Sequence, residues 1–326
     1  MNRFLTCALL ALASAGTALP AAAQGEVYPS KRIQLVVPFG AGSGIDQLAR
    51  ELAEILRTQL NQPIVVENRE GAGGLIGGAW VSHAPADGYT IMITAHPPFA
   101  IGPQVQKTPS YDPVTGFAPV AKIGSVPLVL VTAANTPFKN WQEMAAYFRA
   151  NPDKANYAAS GVGSPGQLFT TLIKLATGLP MEEISYKSTA MALTDAIAGN
   201  VQISIVSLPA AAQYIKAGTL RALAIGSPER LKQYPDLPTL AELIGQPNFE
   251  ASVWYGVLVP PGTPVDRINK LNEEIARASA TPRMVEFFNR SVITPQLQGP
   301  AAFAATIRAD TATAKKMIDA AKIRQE

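Results

Sequence analysis

The chain has 326 residues, of which 48% are hydrophobic and 16% charged, with a formal net charge of +3. A single hydrophobic core rarely serves about 300 residues, so this length predicts two lobes. The basic residues are scattered along amphipathic patterns and form no basic stripe with interleaved aromatic residues. We therefore expect no nucleic-acid partner.

The first 23 residues have the pattern of a secretory signal peptide. Arg3 precedes an apolar run over residues 4–19, and a short alanine-rich segment ends at Ala23. This pattern predicts export to the periplasm with cleavage near Ala23. No later segment is apolar over the length of a membrane helix. The only cysteine, Cys7, lies inside the signal and follows no lipobox, so neither a lipid anchor nor a disulfide is expected.

Short β-branched runs then alternate with helical patterns, which is typical of parallel sheets covered by helices. The predicted strands are Ile33–Val37, 64–66, 90–94, 128–132, Asn156–Ala159, 202–205, Leu220–Ile225 and 254–259. Helical spacing predicts helices at 48–60, 75–84, Trp141–Ala150, 167–176 and 190–198, and an almost wholly helical tail from Pro264. The order predicts an α/β protein with parallel-rich sheets flanked by helices. The tail is expected to pack back on the first lobe.

A glycine-rich turn, PFGAGSGID at residues 38–46, follows the first predicted strand. Its glycines leave backbone N–H groups unshielded, and a helix starts just beyond them. The donors and the positive end of the helix dipole therefore converge on one point, which favours an anion. The candidate ligand-binding residues of this turn are Phe39, Gly40, Ala41, Gly42, Ser43 and Asp46. For Asp46, capping of its own helix is the favoured alternative.

A second glycine-rich turn, SGVGSPGQL at residues 160–168, repeats this chemistry after a later strand. Ser164 is placed to cap a helix whose first residue is Pro165. The candidate ligand-binding residues here are Ser160, Gly163 and Ser164, and a third turn adds Tyr186 and Lys187. Each turn also has a purely structural interpretation, because glycine after a strand permits tight packing and an exposed lysine is usually solvated.

The chain has two histidines, His83 and His96. Neither has a partner cysteine, histidine or paired carboxylate nearby in sequence, so the pattern indicates no metal site, and no cofactor is expected. His96 follows the end of a predicted strand and is a candidate for facing a cleft.

Two enzymatic interpretations of the glycine turns are weak. The first turn lacks the third glycine of the dinucleotide fingerprint because Ile45 stands there, although Glu67 ends the second strand where a ribose-binding acid would lie. Export would also separate the chain from nicotinamide cofactors. Neither Ser43 nor Ser164 lies in a G-x-S-x-G motif. No enzymatic activity is expected.

Several ordered motifs together resemble a known family across essentially the whole mature chain. They are YPSKR at 28–32 with the first turn, VENREGAGG at 66–74, ADGY at 86–89, SGVGS at 160–164, Tyr186-Lys187, IKAGTLRALA at 215–224 and VPPGTP at 259–264. In these motifs the chain resembles the tripartite tricarboxylate transporter solute-binding proteins, also called Bug proteins.

The resemblance implies a two-lobed, type II-like periplasmic binding protein of the Venus flytrap kind. Lobe one would comprise residues 24–125 plus 251–326, and lobe two residues 126–250. In the family, the two glycine turns hold a ligand carboxylate through backbone amides and ordered water. The implied function is capture of a small organic carboxylate by a monomer for membrane permease subunits. A sensing module that docks on a membrane receptor is the alternative.

The chain departs from the family pattern at several positions that bear on the ligand. Ile45 stands where a small polar residue is common, Gln167 where histidine is common and Ser188 where glycine is common. Gln202, a further candidate ligand-binding residue, replaces a frequent aspartate that could bind an ammonium group. This loss of charge disfavours an amino acid as ligand. A less hydroxylated pocket fits an aliphatic or aromatic mono- or dicarboxylate better than citrate.

Overall fold

A computed structural model describes residues 27–96, 98–160, 164–247 and 249–321. The predicted signal peptide and Gly163 lie outside these residues. Ten strands occur in the described chain. In order they are β1 Ile33–Val37, β2 Ile64–Asn68, β3 Thr90–Ala95, β4 Ala118–Ala133, β5 Asn156–Ala159, β6 Glu182–Ser185, β7 Ile203–Ser207, β8 Leu220–Ile225, β9 Ser252–Val259 and β10 Thr294–Gln298.

Eleven α-helices alternate with these strands in the described chain. They are α1 Gly44–Leu60, α2 Leu75–Ser82, α3 Pro98–Val105, α4 Trp141–Ala150, α5 Pro165–Thr177, α6 Thr189–Ala198, α7 Leu208–Lys216, α8 Leu240–Ile244, α9 Val265–Ser279, α10 Pro282–Arg290 and α11 Pro300–Ala321. Two short 3-10 helices lie at Ala72–Gly74 and Pro152–Lys154. Within the described residues, none of the helices combines the length and the apolarity that a membrane crossing requires.

The strands form one mixed, continuous sheet in the order β2-β1-β3-β9-β4-β7-β5-β6, and β8 and β10 also pair with β4. The pairs β1–β2, β1–β3, β5–β6 and β5–β7 are parallel. Antiparallel pairing occurs where β9 and β4 join these groups. The parallel strands place the carboxyl ends of β1 and β5 at edges where helices begin.

Strand β4 is 16 residues long and connects the two lobes. Its first part pairs with β9 up to Pro127, and its second part pairs with β7 from Leu128. The apolar side chains likewise form separate clusters. One is built on β1, β3, α1 and α9, and another on β5, β7, α4 and α5. The fold is therefore the two-lobed α/β architecture that the sequence predicts.

Most predicted elements are present, and the largest differences occur where proline and glycine interrupt a pattern. The sequence predicts only residues 128–132 of β4, whose first part contains Pro119, Gly124 and Pro127, residue types that usually interrupt strands. These residues sit in β4 beside register shifts in its pairing with β9 and β10. The tail is also less helical than predicted, because β10 pairs antiparallel with β4.

The C-terminal helix α11 packs against α3 and β4. Its Phe303 and Ile307 join a buried cluster with Val36 of β1 and Met92 of β3. Further along, Ala314 and Ile318 contact a small cluster that also contains Leu168 of α5. Helix α11 therefore covers the face of the sheet opposite to α1 and reaches the second lobe.

Candidate ligand-binding cleft

A cavity of about 530 Å³ lies where β1 and β5 end and the following helices begin. Gly44 and Gln47 of α1 line one side, and Ser160, Pro165 and Gly166 line another. Its remaining wall includes the apolar side chains of Val126, Leu128, Ile205, Val253 and Ile293. The two glycine turns predicted from the sequence thus lead into helices that share one cavity.

Four helices begin at this cavity. Gly44 starts α1, Pro165 starts α5, Thr189 starts α6, and Ser207 with Pro209 marks the start of α7. Each helix N-terminus carries a partial positive charge and backbone N–H groups without partners inside the helix. Their convergence creates a local potential that favours anions, without requiring a charged side chain from these helices.

The first glycine turn is held by a network centred on the buried Asp46. One carboxylate oxygen accepts hydrogen bonds from the Gly42 amide at 2.8 Å and from Arg50 Nε at 3.0 Å. The other accepts from Asn68 Nδ2 at 2.9 Å. The Ser43 hydroxyl donates to the Gly40 carbonyl at 2.7 Å and accepts from the Asp46 amide. Asp46 therefore stabilises the turn and the start of α1.

Burial of Asp46 raises the pKa of its carboxyl, but the hydrogen bonds from Arg50, Gly42 and Asn68 outweigh burial. The pKa consequently lies below its usual range, and the group is ionised at neutral pH. Because its oxygens already accept these three donors, the carboxylate is used within the protein. Ser43 is the N-cap of α1, so Asp46 does not cap its own helix as the sequence pattern favoured but holds the turn that precedes it.

The other candidates of the first turn shape the backbone and do not line the cavity. Phe39 packs against the core of lobe one, and its carbonyl accepts from Asn68 Nδ2 at 2.9 Å. At Gly40, a Cβ would lie 2.7 Å from the Glu70 carboxylate. Gly42 has a φ of 81°, a conformation that glycine adopts readily. Ala41 is exposed. Gly44 and Gln47 are therefore the cavity residues on this side.

The second glycine turn contributes hydroxyls and a helix start. Ser164 caps α5 by accepting from the Gln167 amide at 3.3 Å, as the sequence predicts. The Ser160 hydroxyl lies 3.4 Å from that of Thr189 at the start of α6, and both residues line the cavity. The Gln167 side chain donates to Glu183 at 2.9 Å. The prediction for Gly163 lies outside the described residues.

Tyr186 and Lys187 lie near the cavity but are not among the described residues that line it. The Tyr186 hydroxyl donates a hydrogen bond to Asp195 at 2.8 Å. Burial raises the pKa of Tyr186 to about 12, and the hydrogen bond to Asp195 is the second contribution to this increase. Lys187 is exposed next to Ser188, which caps α6 through the Met191 amide. Tyr186 thus orients the turn, and Lys187 faces solvent.

Two predicted candidates lie away from the cavity. Gln202 precedes β7, whereas the cavity is lined by Ser207 at the other end of that strand, about 16 Å further along an extended chain. His96 is buried and stacks on Trp254, with ring centroids 5.6 Å apart. The side chain of Trp254 faces α11, because alternate residues of β9 face opposite sides of the sheet. His96 therefore lies behind the sheet relative to the cleft.

Two important cavity residues are not indicated by the sequence pattern. Arg290, at the end of α10, is the one charged side chain among the described residues that line the cavity. Its nearest carboxylate is Glu51, at 4.0 Å, and Arg283 also pairs with Glu51. Tyr255 of β9 lies close to the start of α1, since a Cβ on Gly44 would be 3.9 Å from its hydroxyl. Burial raises the Tyr255 pKa, so its hydroxyl stays a neutral donor.

The cavity does not have the chemistry of a metal site. Within the described parts of the chain, no three histidine, cysteine, aspartate or glutamate side chains are grouped to hold a metal ion. The cleft instead combines N–H groups, hydroxyls and one guanidinium, which are donors suited to carboxylate oxygens.

The chain is similar to several known proteins. BugT of Bordetella pertussis is 38% identical over 301 residues, which cover 92% of this chain and 91% of BugT. The structure of the periplasmic binding protein BugD is 32% identical, with a TM-score of 0.73 over 92% of this chain and 100% of BugD. That of R. palustris Rpa4515 with adipate is 33% identical, with a TM-score of 0.76 over 91% and 99% of the two chains.

A family model described as the tripartite tricarboxylate transporter family receptor matches residues 48–323. This match covers most of the chain, begins just after the first glycine turn and includes the second. The resemblance seen in the ordered sequence motifs is thereby confirmed. The chain belongs to the tripartite tricarboxylate transporter receptor family of periplasmic solute-binding proteins, as a member of its Bug group.

Proposed function

We propose that this receptor captures a small organic dicarboxylate with an apolar carbon chain and delivers it to the permease subunits of a membrane transporter. The observation that carries the proposal is the convergence of four helix N-termini and Arg290 on one cavity with apolar walls. The related structure with adipate supports the ligand class, because adipate has two carboxylates joined by a methylene chain.

The cleft offers two different kinds of anion-binding group. The helix starts at Gly44 and Thr189, together with the Ser160 and Tyr255 hydroxyls, suit one carboxylate. The exposed guanidinium of Arg290 suits the second, which it can bind with two parallel hydrogen bonds. Micromolar affinity needs about 8 kcal/mol, and charge-assisted hydrogen bonds contribute about 1.5–3 kcal/mol each. A few such contacts with apolar burial are sufficient.

A matched pair of ligands tests the need for two carboxylates. Adipate and hexanoate have the same six-carbon length, but hexanoate lacks the second carboxylate. Calorimetry should show adipate binding at least about tenfold more tightly, equivalent to 1.4 kcal/mol. Equal affinities would contradict the dicarboxylate assignment.

A matched pair of variants tests the role of Arg290. Arg290→Met should reduce adipate affinity about tenfold and leave hexanoate affinity nearly unchanged. Arg283→Met is the control, because Arg283 lies on the same helix and is similarly exposed, with 57% against 59% of the side chain accessible. Arg283 does not line the cavity. Equal effects of the two substitutions on adipate would mean that Arg290 acts only through long-range charge.

We also propose the lobe boundaries expected from the sequence, with residues 24–125 plus 251–326 in one lobe and 126–250 in the other. The change of partner along β4 between Pro127 and Leu128 supports the first boundary. The cleft has walls from both lobes, so ligand binding should draw them together. Small-angle scattering should therefore show a smaller radius of gyration at saturating adipate than without ligand.

Export and delivery complete the proposal. Intact-mass measurement of protein from the periplasm should give a chain that begins at or next to Gln24. A capture experiment with the ligand-bound protein as bait should recover permease subunits. Recovery of a membrane receptor instead would support the sensing alternative and contradict delivery to a transporter.

A further inference from the structure

A second cavity, of about 630 Å³, lies on the opposite face of β9 from the ligand-binding cleft. Side chains alternate between the two faces of a strand. Val253 and Tyr255 therefore line the front cleft, whereas Ser252 and Trp254 line this back cavity. The back cavity is thus separated from the cleft by the strands that connect the lobes.

The back cavity contains a buried cation without a direct partner. Lys122 of β4 is only 4% exposed and lines the cavity. It forms neither an ion pair nor a hydrogen bond through its ammonium group with any residue in the described ranges. Burial lowers the pKa of Lys122, although Glu250 and Asp310 counteract this effect. Because Lys122 lines the cavity and no described residue accepts a hydrogen bond from its ammonium group, an anion bound in the cavity could pair with it.

Two carboxylates also line the back cavity. Asp310 of α11 accepts from the Trp254 indole nitrogen at 2.7 Å, and Glu250 accepts from the Ser252 hydroxyl. Each carboxylate keeps further acceptor capacity, because a carboxylate has about four lone-pair positions. A simple monoanion would meet Lys122 but would be repelled by Asp310 and Glu250. A ligand with both charges would satisfy the cation and the carboxylates together.

The remaining surface of the back cavity is largely apolar. Leu168, Phe169 and Leu172 of α5 form one side, and Phe249 and Trp254 add aromatic surface. His96 also lines the cavity, and burial lowers its pKa, so the imidazole is neutral at neutral pH. It therefore adds no second positive charge. These walls suit the side chain of a hydrophobic or aromatic molecule.

We propose that the back cavity is a second binding site for a small zwitterion with an apolar body, such as an α-amino acid with an aromatic or aliphatic side chain. Lys122 would bind the carboxylate, and Asp310 with Glu250 would bind the ammonium group. The site is distinct from the dicarboxylate cleft and does not depend on the function proposed there.

Three probes test this proposal, because they share a phenylethyl group and differ in the charged groups that they carry. L-Phenylalanine carries both charges, 3-phenylpropanoate only the carboxylate and 2-phenylethylamine only the ammonium group. Calorimetry on the mature protein, in the absence and in the presence of adipate, should show phenylalanine binding at least about tenfold more tightly than either analogue. Binding of 3-phenylpropanoate or 2-phenylethylamine at equal strength would overturn the proposal, as would no binding of any probe at millimolar concentrations.

Substitutions locate this binding. Lys122→Met should weaken phenylalanine binding about tenfold and leave 2-phenylethylamine at least as tightly bound. Asp310→Asn retains an acceptor for the Trp254 indole and should weaken phenylalanine and 2-phenylethylamine together. Lys316→Met removes an exposed charge of α11 outside the cavity and is the matched control. Wild-type phenylalanine affinity in both cavity variants would overturn the assignment.

Folding does not obscure these measurements. Lys122→Met replaces a buried charge with an apolar side chain of similar length, so its thermal stability should equal or exceed that of the wild type. The change in Trp254 fluorescence on adding phenylalanine gives an independent readout, because this indole lines the cavity. Phenylalanine that binds with full affinity but is displaced by adipate would instead occupy the cleft and would refute a separate site.

Discussion

The two glycine-rich turns have similar sequences but are constructed differently. The first turn is fixed by the buried Asp46, which accepts hydrogen bonds from Gly42, Arg50 and Asn68. In the described part of the second turn, Ser164 caps α5 and Ser160 contacts Thr189. The first turn thus provides a preformed frame, and the second provides hydroxyls and helix starts. Two turns of similar sequence can therefore have different roles, one as a rigid frame and the other as a source of ligand contacts.

The largest expected effect comes from removing the centre of the first turn. Asp46→Ala leaves the Gly42 amide without its acceptor and removes one acceptor each from Asn68 and Arg50. We expect the free energy of unfolding to fall by about 3 kcal/mol, because three hydrogen bonds to a buried charged group are lost. Urea denaturation measures this change. If the free energy of unfolding fell by only about 1 kcal/mol, as when a helix cap is lost, the two turns would not differ in their dependence on one side chain.

The pH dependence of stability tests the same carboxylate without shortening its side chain. Because the folded pKa of Asp46 lies below its unfolded value, the ionised group stabilises the fold at neutral pH. That contribution is lost as the pH falls below about 4 and through the folded pKa. Asp46→Asn should therefore lose less stability than wild type between neutral and acidic pH. If the stability of the two proteins changed equally with pH, the pKa of Asp46 would not differ between the folded and unfolded states.

A smaller effect is expected in the second turn. Ser164→Ala removes the cap of α5 and should cost about 1 kcal/mol of stability. The substitution leaves the apolar walls of the cleft intact, so thermal unfolding and adipate affinity can be measured on the same protein. A loss as large as that of Asp46→Ala would mean that the second turn is equally dependent on one side chain.

The smallest effect is expected for Lys187. Its side chain is exposed, and it is not among the described residues that line the cleft. Lys187→Met should change stability by less than about 0.5 kcal/mol and should leave adipate affinity unchanged at physiological salt. A salt-dependent loss of affinity in calorimetry would show that this cation contributes to the potential of the cleft.

Local patterns were sufficient to predict much of the fold. The bounds of β1, β5, β8 and α4 coincide with the predicted segments, because each combines a clear hydrophobic period with a nearby turn or cap. The Ser164 cap was also predictable, since Ser-Pro at a helix start is a local signal. Local sequence therefore determines the turns that lead into the cleft.

Long-range pairing determined what the sequence did not reveal. Arg290 resembles any basic residue at the end of an amphipathic helix, and only the packing of α10 brings it to the cleft. His96 ends up behind the sheet because of its register beside Trp254 in β9. The first part of β4 is a strand because it has partners on both edges, despite its prolines and glycine. None of these relations is encoded by neighbouring residues.

The position of β9 has a consequence for synthesis and export. β9 lies between β3 and β4 in the sheet, although it follows β4 by more than a hundred residues in the chain. Until β9 has been made, the edges of β3 and β4 that it will join have no partner, and unpaired edges invite aggregation. In a protein destined for the periplasm, this order delays completion of the first lobe until the C-terminal third of the chain has been made.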